Sequence, residues 1–146
     1  MTNVPLVDLR KQYAPLKTEI MAGIEKVLDG MHLFLGENVC AFEQEFSAYC
    51  GARQGIGVSD GTTALTIILR AMGIGPGDEV ITVSHTFIAT VEAILLVGAR
   101  PIFVDIDPVT YLMDVGQVED RITERTKAIL PVHLYGQTVD MDPLLE

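Results

Sequence analysis

Hydrophobic positions recur at helical spacing along the first third of the chain and gather into short runs along the rest. From Leu16 to Leu28, the residues Ile20, Ile24, Val27 and Leu28 fall at i, i+4, i+7 and i+8, which predicts one helical face, with Gly30 as its stop. A second face runs from Val39 through Phe42, Phe46 and Tyr49 to a stop at Gly51. Between them, Met31 to Gly36 is apolar without a period, the pattern of an exposed loop that meets a partner surface.

After Gly51 the rhythm changes. Short apolar strands are predicted at residues 55–58, 79–83, 101–106 and 128–132, with helical stretches between them. Leu65, Ile68, Leu69 and Met72 mark one helix, ended by the turn Gly73-Ile-Gly-Pro-Gly77. Ile88, Val91, Ile94 and Leu95 mark another, ended at Gly98. A third crossover opens at Asp114, an N-cap with Gln117 three residues on, so that Val115, Val118 and Ile122 face inward. This βαβ grammar predicts an α/β fold in three layers: a mostly parallel sheet with right-handed crossovers and helices on both faces. The final Asp140-Met-Asp-Pro143 predicts a helix start with only three residues left, so the chain reads as the N-terminal piece of a longer polypeptide.

Composition narrows the function. At 146 residues and 49% hydrophobic content the chain can bury one core. Its net charge of −10 argues against a phosphate-tracking nucleic-acid surface and leaves small polar substrates open. The two cysteines, Cys40 and Cys50, make neither a disulfide framework nor a zinc site, and no metal site is expected. No signal segment or membrane span is read from the sequence, which leads to the expectation of a cytoplasmic protein.

Candidate chemistry sits where strands hand over to helices, the carboxyl edge at which open α/β sheets bind ligands. In Val58-Ser-Asp-Gly-Thr-Thr-Ala-Leu65, Gly61 allows close backbone approach, and Thr62 and Thr63 add hydroxyls to the free N–H groups of a helix start, so a phosphate would fit. The plainer alternative is that Ser59 or Thr62 caps the helix and Gly61 eases the turn. Neither GxGxxG nor GxxxxGK[ST] is present. In the next turn, Ser84-His-Thr-Phe87, the Phe87 ring either lies on a planar ligand or plugs the core under the helix. His32, His85 and His133 read as loop histidines, and Asp105 and Asp107 as acids that face the cleft or cap the turn ending at Pro108.

Several segments in order carry a resemblance: Val4-Pro-Leu-Val-Asp-Leu9, Leu35-Gly36 with Phe42-Glu43 and Phe46, VSDGTTAL, GIGPGDEVIT, HTFIAT, GARPIFVDID, TKAILPVHLYGQ and the final DMDP. Together they resemble the N-terminal portion of the DegT/DnrJ/EryC1/StrS sugar aminotransferases. The resemblance implies part of the large domain of a fold type I pyridoxal-phosphate (PLP) enzyme, similar to aspartate aminotransferase. Residues 1–51 would supply N-terminal helices and a partner-facing loop, and residues 52–146 the βαβ units. It also implies an amino group moved, usually from glutamate, to a nucleotide-linked keto sugar by way of pyridoxamine phosphate (PMP), for surface polysaccharides or antibiotics. HTFIAT is similar to members that act on 3-keto sugars.

Carried over residue by residue, the resemblance implies that Gly61, Thr62 and Thr63 hold the cofactor phosphate and that Phe87 stacks on the pyridine ring. Asp60 stands where the family often has serine; an acid there would repel a phosphate unless it turns outward to cap the helix or bind solvent. Leu33, Phe34 and Leu35 match the loop that in homodimers reaches toward the neighbouring subunit's active site, and Glu37 replaces a common proline. None of Lys11, Lys17, Lys26 and Lys127 matches the family's Schiff-base lysine, which is expected beyond Glu146, so these 146 residues alone are expected to be inactive. Two alternatives stand beside this reading: a sugar dehydratase of the same family, with histidine in place of the lysine, and a noncatalytic binding module.

Overall fold

In the computed structural model, which describes residues 4–146, the chain divides into two compact units, residues 1–57 and 58–146. The first three positions of the sequence, on which part of the leader reading rests, lie outside the described residues.

The first unit holds helices α1 (Arg10–Gly30) and α2 (Glu37–Tyr49). The helix expected over Leu16 to Leu28 begins earlier, where Asp8 accepts the Arg10 N–H and pairs with its guanidinium at 2.7 and 2.8 Å. It ends with Met31 in the left-handed region at φ 52°, one residue past Gly30. Gly36 is the N-cap of α2. Any side chain at Gly36 would collide with the His32 carbonyl, 2.7 Å from where a Cβ would sit.

The strand expected over residues 55–58 does not form. The Gly57 N–H donates to Glu43 Oε1 at 2.6 Å, and Gly55 lies so close to α2 that a Cβ would stand 2.7 Å from the Glu43 carbonyl. The segment's donor is used by a side chain of α2, and among the described residues it pairs with no strand.

The second unit is the α/β fold that the pattern predicted. Helix α3 (Gly61–Ala71) leads to strand β1 (Glu79–Val83), helix α4 (Ala89–Leu96) to β2 (Arg100–Val104), and β3 (Thr126–Ile129) follows, with a short α5 (Asp142–Leu145) at the end. The sheet order is β2-β1-β3 and both pairings are parallel, with Ile81 opposite Ile102 on one side and Ile129 on the other. All five residues of β1 are buried, as a central parallel strand requires.

Strand alternation splits the core in two. On one face Val80 packs with Leu69, Ile74, Ala93, Ile94 and Val97 from α3, α4 and their flanks. On the other, Ile81 and Val83 meet Val104, Leu112, Met113, Val118 and Val139. That second face is covered mainly by irregular chain. The crossover helix expected after Asp114 is two three-residue 3-10 turns, Val115–Gln117 and Glu119–Arg121. Asp114 does cap its turn, accepting the Gly116 N–H at 3.1 Å. Gln117 reaches the Asp114 carboxylate rather than its backbone N–H, so the reciprocal capping box is not made.

Strand ends also move. β3 starts two residues early and its last pairing is the Leu130 N–H to the Ile81 carbonyl at 2.8 Å, because Pro131 has no N–H with which to continue. β2 stops at Val104, where the Asp105 N–H turns to the Gln117 side chain. The last helix is capped by Met141 instead of Asp140, with Pro143 in its first turn.

At the amino edge of the sheet the buried Glu79 carboxylate ties three strand entries together. It pairs with Arg125 at 2.8 Å and Arg100 at 3.9 Å, and accepts the Thr123 hydroxyl at 2.7 Å. Gly73, Gly77 and Gly98 all have left-handed φ, as the turns from helix to strand need.

Candidate functional site

Helix α3 enters β1 through the turn after Met72, so its C-terminus lies at the amino edge of the sheet and its N-terminus points to the carboxyl edge. The loop Ser84 to Ile88 leaves that same edge from β1 into α4. The sequence-predicted site residues Gly61, Thr62, Thr63 and Phe87 therefore come from the start of α3 and from the β1-to-α4 loop of one unit.

Asp60 is the N-cap of α3, with its backbone extended and Oδ1 accepting the Thr63 N–H at 2.8 Å. Ser59 Oγ donates to Asp60 Oδ2 at 2.9 Å and lies 2.9 Å from Thr63 Oγ1. Neither Ser59 nor Thr62 is the cap. The Thr63 N–H, then the Ser59 and Thr63 hydroxyls, hold the Asp60 carboxyl below its ordinary range, with a small pull from the Thr62 N–H. The favourable interaction of an anion with a helix start acts in the same direction. Asp60 thus turns to the helix, one of the two ways in which an acid can stand beside an anion seat.

This capping divides the donors. The N–H and hydroxyl of Thr63 are engaged by Asp60 and Ser59, while among the described residues the Gly61 N–H belongs to no hydrogen bond and the Thr62 N–H makes only that weak contact. A Cβ on Gly61 would meet nothing within 4 Å, so the approach to the helix start is open. Thr66 secures the first turn from behind by donating to the Thr62 carbonyl at 2.8 Å.

Phe87 is 75% exposed, so within this chain it is not a core plug. Its loop is fixed by the Thr86 N–H to the Ser84 carbonyl at 3.1 Å and by the paired hydroxyls of Thr86 and Thr90 at 2.9 Å. Asp107 does what its plainer reading said. Its Oδ1 accepts the Val109 and Thr110 N–H groups and the Thr110 hydroxyl, bonds that hold its carboxyl low, led by the Thr110 N–H.

One cluster went unread in the sequence. His85, Tyr111 and Tyr135 bring three rings together, with centroids 6.0 to 6.3 Å apart, from the loops after β1, β2 and β3. No periodicity marks these residues; the signal that could have found them is that each follows a predicted strand at its carboxyl end.

The sequence model of the "DegT/DnrJ/EryC1/StrS aminotransferase family" matches residues 15–146. The chain belongs to that family. Among curated relatives of this DegT/DnrJ/EryC1/StrS member, it is 51% identical over 142 residues to a "Pleiotropic regulatory protein" of Geobacillus stearothermophilus, covering 97% of this chain and 38% of the relative. It is likewise 51% identical over 144 residues to a UDP-N-acetyl-3-dehydro-alpha-D-glucosamine 3-aminotransferase of Acidithiobacillus ferrooxidans, covering 99% of this chain and 39% of the relative. The crystal structure of NtdA from Bacillus subtilis with bound cofactor PMP superposes with a TM-score of 0.94 at 38% identity, over 99% of this chain and 33% of that one. The chain therefore spans about two-fifths or less of the length of these relatives. Among the described residues, no helix is long and apolar enough to cross a membrane.

Proposed function

We propose that residues 1–146 are the N-terminal part of the large domain of a PLP-dependent aminotransferase that delivers an amino group, with glutamate as donor, to a nucleotide-linked 3-keto sugar in the cytoplasm. The observation that carries this reading is the open start of α3, with the Gly61 N–H in no hydrogen bond among the described residues and the Thr62 N–H only weakly engaged, on the same sheet edge as the exposed Phe87 ring.

The residues fit the cofactor's two ends. The Gly61 and Thr62 N–H groups and the Thr62 hydroxyl would hold its phosphate, with Thr63 tightening the turn through Asp60 and Ser59. Phe87 would lie against its ring and fix the plane in which bonds are broken. When bound, PLP supplies the carbonyl that takes up the amino group and the ring that spreads the electron pair. On this reading the residues named here bind and orient the cofactor, and none of the lysines within residues 1–146 matches the family's Schiff-base lysine.

The homodimer belongs to this reading as well. Phe34 is 92% exposed and Leu33 and Leu35 are exposed beside it, with Leu35 held at φ 47°, an apolar tip suited to a neighbouring subunit.

The test takes the polypeptide as its gene encodes it, adds PLP, glutamate and a UDP-linked 3-keto hexose, and follows 2-oxoglutarate and the sugar product by mass spectrometry. Amino-sugar formation supports the reading. A product that has lost a hydroxyl selects the dehydratase branch, and PLP uptake without turnover selects the noncatalytic one.

A further inference from the structure

We infer that His85, Tyr111 and Tyr135 form a contact surface for the hexose ring of a sugar nucleotide, an inference that takes its ligand class from the proposed function above. The three side chains come from three separate loops, all at the carboxyl edge of the sheet, where a ligand of this fold is expected.

Two backbone observations set the trio apart from ordinary loop aromatics. Tyr111 stands at φ 62° and Tyr135 at φ 57°, in the left-handed region where glycine is the inexpensive residue and a bulky one is strained. The other two such residues among those described are Met31, at the end of α1, and Leu35, in the apolar loop. Tyr111 closes the Asp107 turn, its N–H donating to the Asp107 carbonyl at 2.8 Å, and Tyr135 directly precedes Gly136 at φ 77°. A turn alone would be served better by glycine at either position.

Within this chain, burial does not explain these tyrosines. Tyr111 is 48% and Tyr135 71% exposed, and His85 is exposed with them. The Tyr135 hydroxyl lies 3.4 Å from His85 Nε2, too long for a strong bond, so both groups retain capacity for another partner.

Ring orientation decides between ligands. The planes meet at 39°, 61° and 86°, so no two are parallel as a flat base between them would require. Two phenols and an imidazole set at different tilts suit a hexose, whose C–H faces pack on rings and whose hydroxyls radiate in several directions.

The experiment uses the polypeptide as encoded and isothermal titration calorimetry with UDP-N-acetylglucosamine, dTDP-glucose and GDP-mannose, each beside its free nucleoside diphosphate. At least one sugar nucleotide is expected to bind more tightly than its diphosphate. Tyr111→Phe and Tyr135→Phe, which keep the rings, should each weaken that sugar nucleotide about 3- to 10-fold and leave the diphosphate unchanged. Tyr111→Gly relieves the strained backbone, so it should lose the preference for the sugar nucleotide while the melting temperature holds or rises. Equal weakening of sugar nucleotide and diphosphate assigns the trio to the nucleotide and overturns the inference. So does an unchanged preference in all variants, and so does a Tyr111→Gly protein that melts earlier and binds normally, which is the behaviour of a structural tie between loops. PLP uptake, read from visible absorption of the same samples, tests the cofactor reading separately: a protein that takes no PLP but loses hexose preference on Tyr→Phe keeps this inference and loses the other.

Discussion

Ile24 and Ile81 are both residues whose sequence spacing points them toward a core, and they end in opposite surroundings. Ile81, in the middle of β1, is completely buried between β2 and β3 and meets side chains that its own unit supplies. Ile24, on the apolar stripe of α1, is 47% exposed, and Tyr13, Leu16, Ile20, Met21 and Leu28 on the same helix share its condition. No residue of α1 is buried, and on α2 only Ser47 is. The second unit closes its own core; the first presents amphipathic helices with the apolar side uncovered within this chain. Periodicity tells which face of a helix is apolar, and it does not tell whether the covering surface belongs to the same 146 residues.

The sharpest way to break that contrast is to truncate both residues. Ile81→Ala leaves a cavity in the central strand and should cost about 2–5 kcal/mol, read from urea unfolding. Ile24→Ala in the 146-residue chain should cost under about 1 kcal/mol, since little area is lost from a half-exposed site. The same Ile24→Ala change in the polypeptide as encoded should cost clearly more, because chain or a partner subunit then covers the stripe. Equal small costs in both contexts would mean that the α1 face stays bare there too, and the contrast between the two helical faces would lose its physical motive.

Glu79 is the next probe of the self-contained unit. Glu79→Gln removes a buried carboxylate from Arg125, Arg100 and Thr123 while keeping its shape. The arginine side chains are largely exposed and regain water, so the expected loss is roughly 2–3 kcal/mol, below the ~3–5 kcal/mol seen when a wholly buried pair is broken. High salt should change the wild-type midpoint little, because the carboxylate itself is shielded. A midpoint in Glu79→Gln that matches the wild type would show the ion cluster to be incidental to joining the strand entries.

What could be read in the sequence follows the same division. The parallel sheet, α3, α4 and the glycines that end them were legible because period and punctuation agree there. The strand expected at residues 55–58 does not form: an apolar run does not say whether a neighbour exists, and here Glu43 takes the Gly57 N–H. The helix expected after Asp114 is short: a cap signal marks a start and not a length, and Gly116 follows two residues later. The α3 start and Phe87 are candidates by motif position and their cofactor roles come from the resemblance, whereas the division of donors around Asp60 has no sequence signal. The meeting of His85, Tyr111 and Tyr135 needed the topology, since 26 and 24 residues separate them along the chain.

The smallest expected effect concerns that division of donors. Hydrogen bonds, first from the Thr63 N–H, lower the pKa of Asp60 in the folded state, so the folded protein binds fewer protons there than the unfolded chain. The stability contributed by the cap is fully present above the ordinary carboxyl pKa of about 4 and is lost as pH falls through the lowered folded value. Asp60→Asn caps nearly as well without titrating, so its unfolding midpoint should vary less with pH on the acid side of that point and match the wild type near neutrality. The same change removes a negative charge beside the Gly61 and Thr62 donors, so inorganic phosphate should protect Asp60→Asn against unfolding at lower concentration than it protects the wild type. Asp60→Ser, which also caps a helix without carrying a charge, should behave alike toward phosphate. If neither variant gains phosphate protection, the start of α3 acts as a capped turn alone, and the seat proposed for the cofactor phosphate must lie elsewhere.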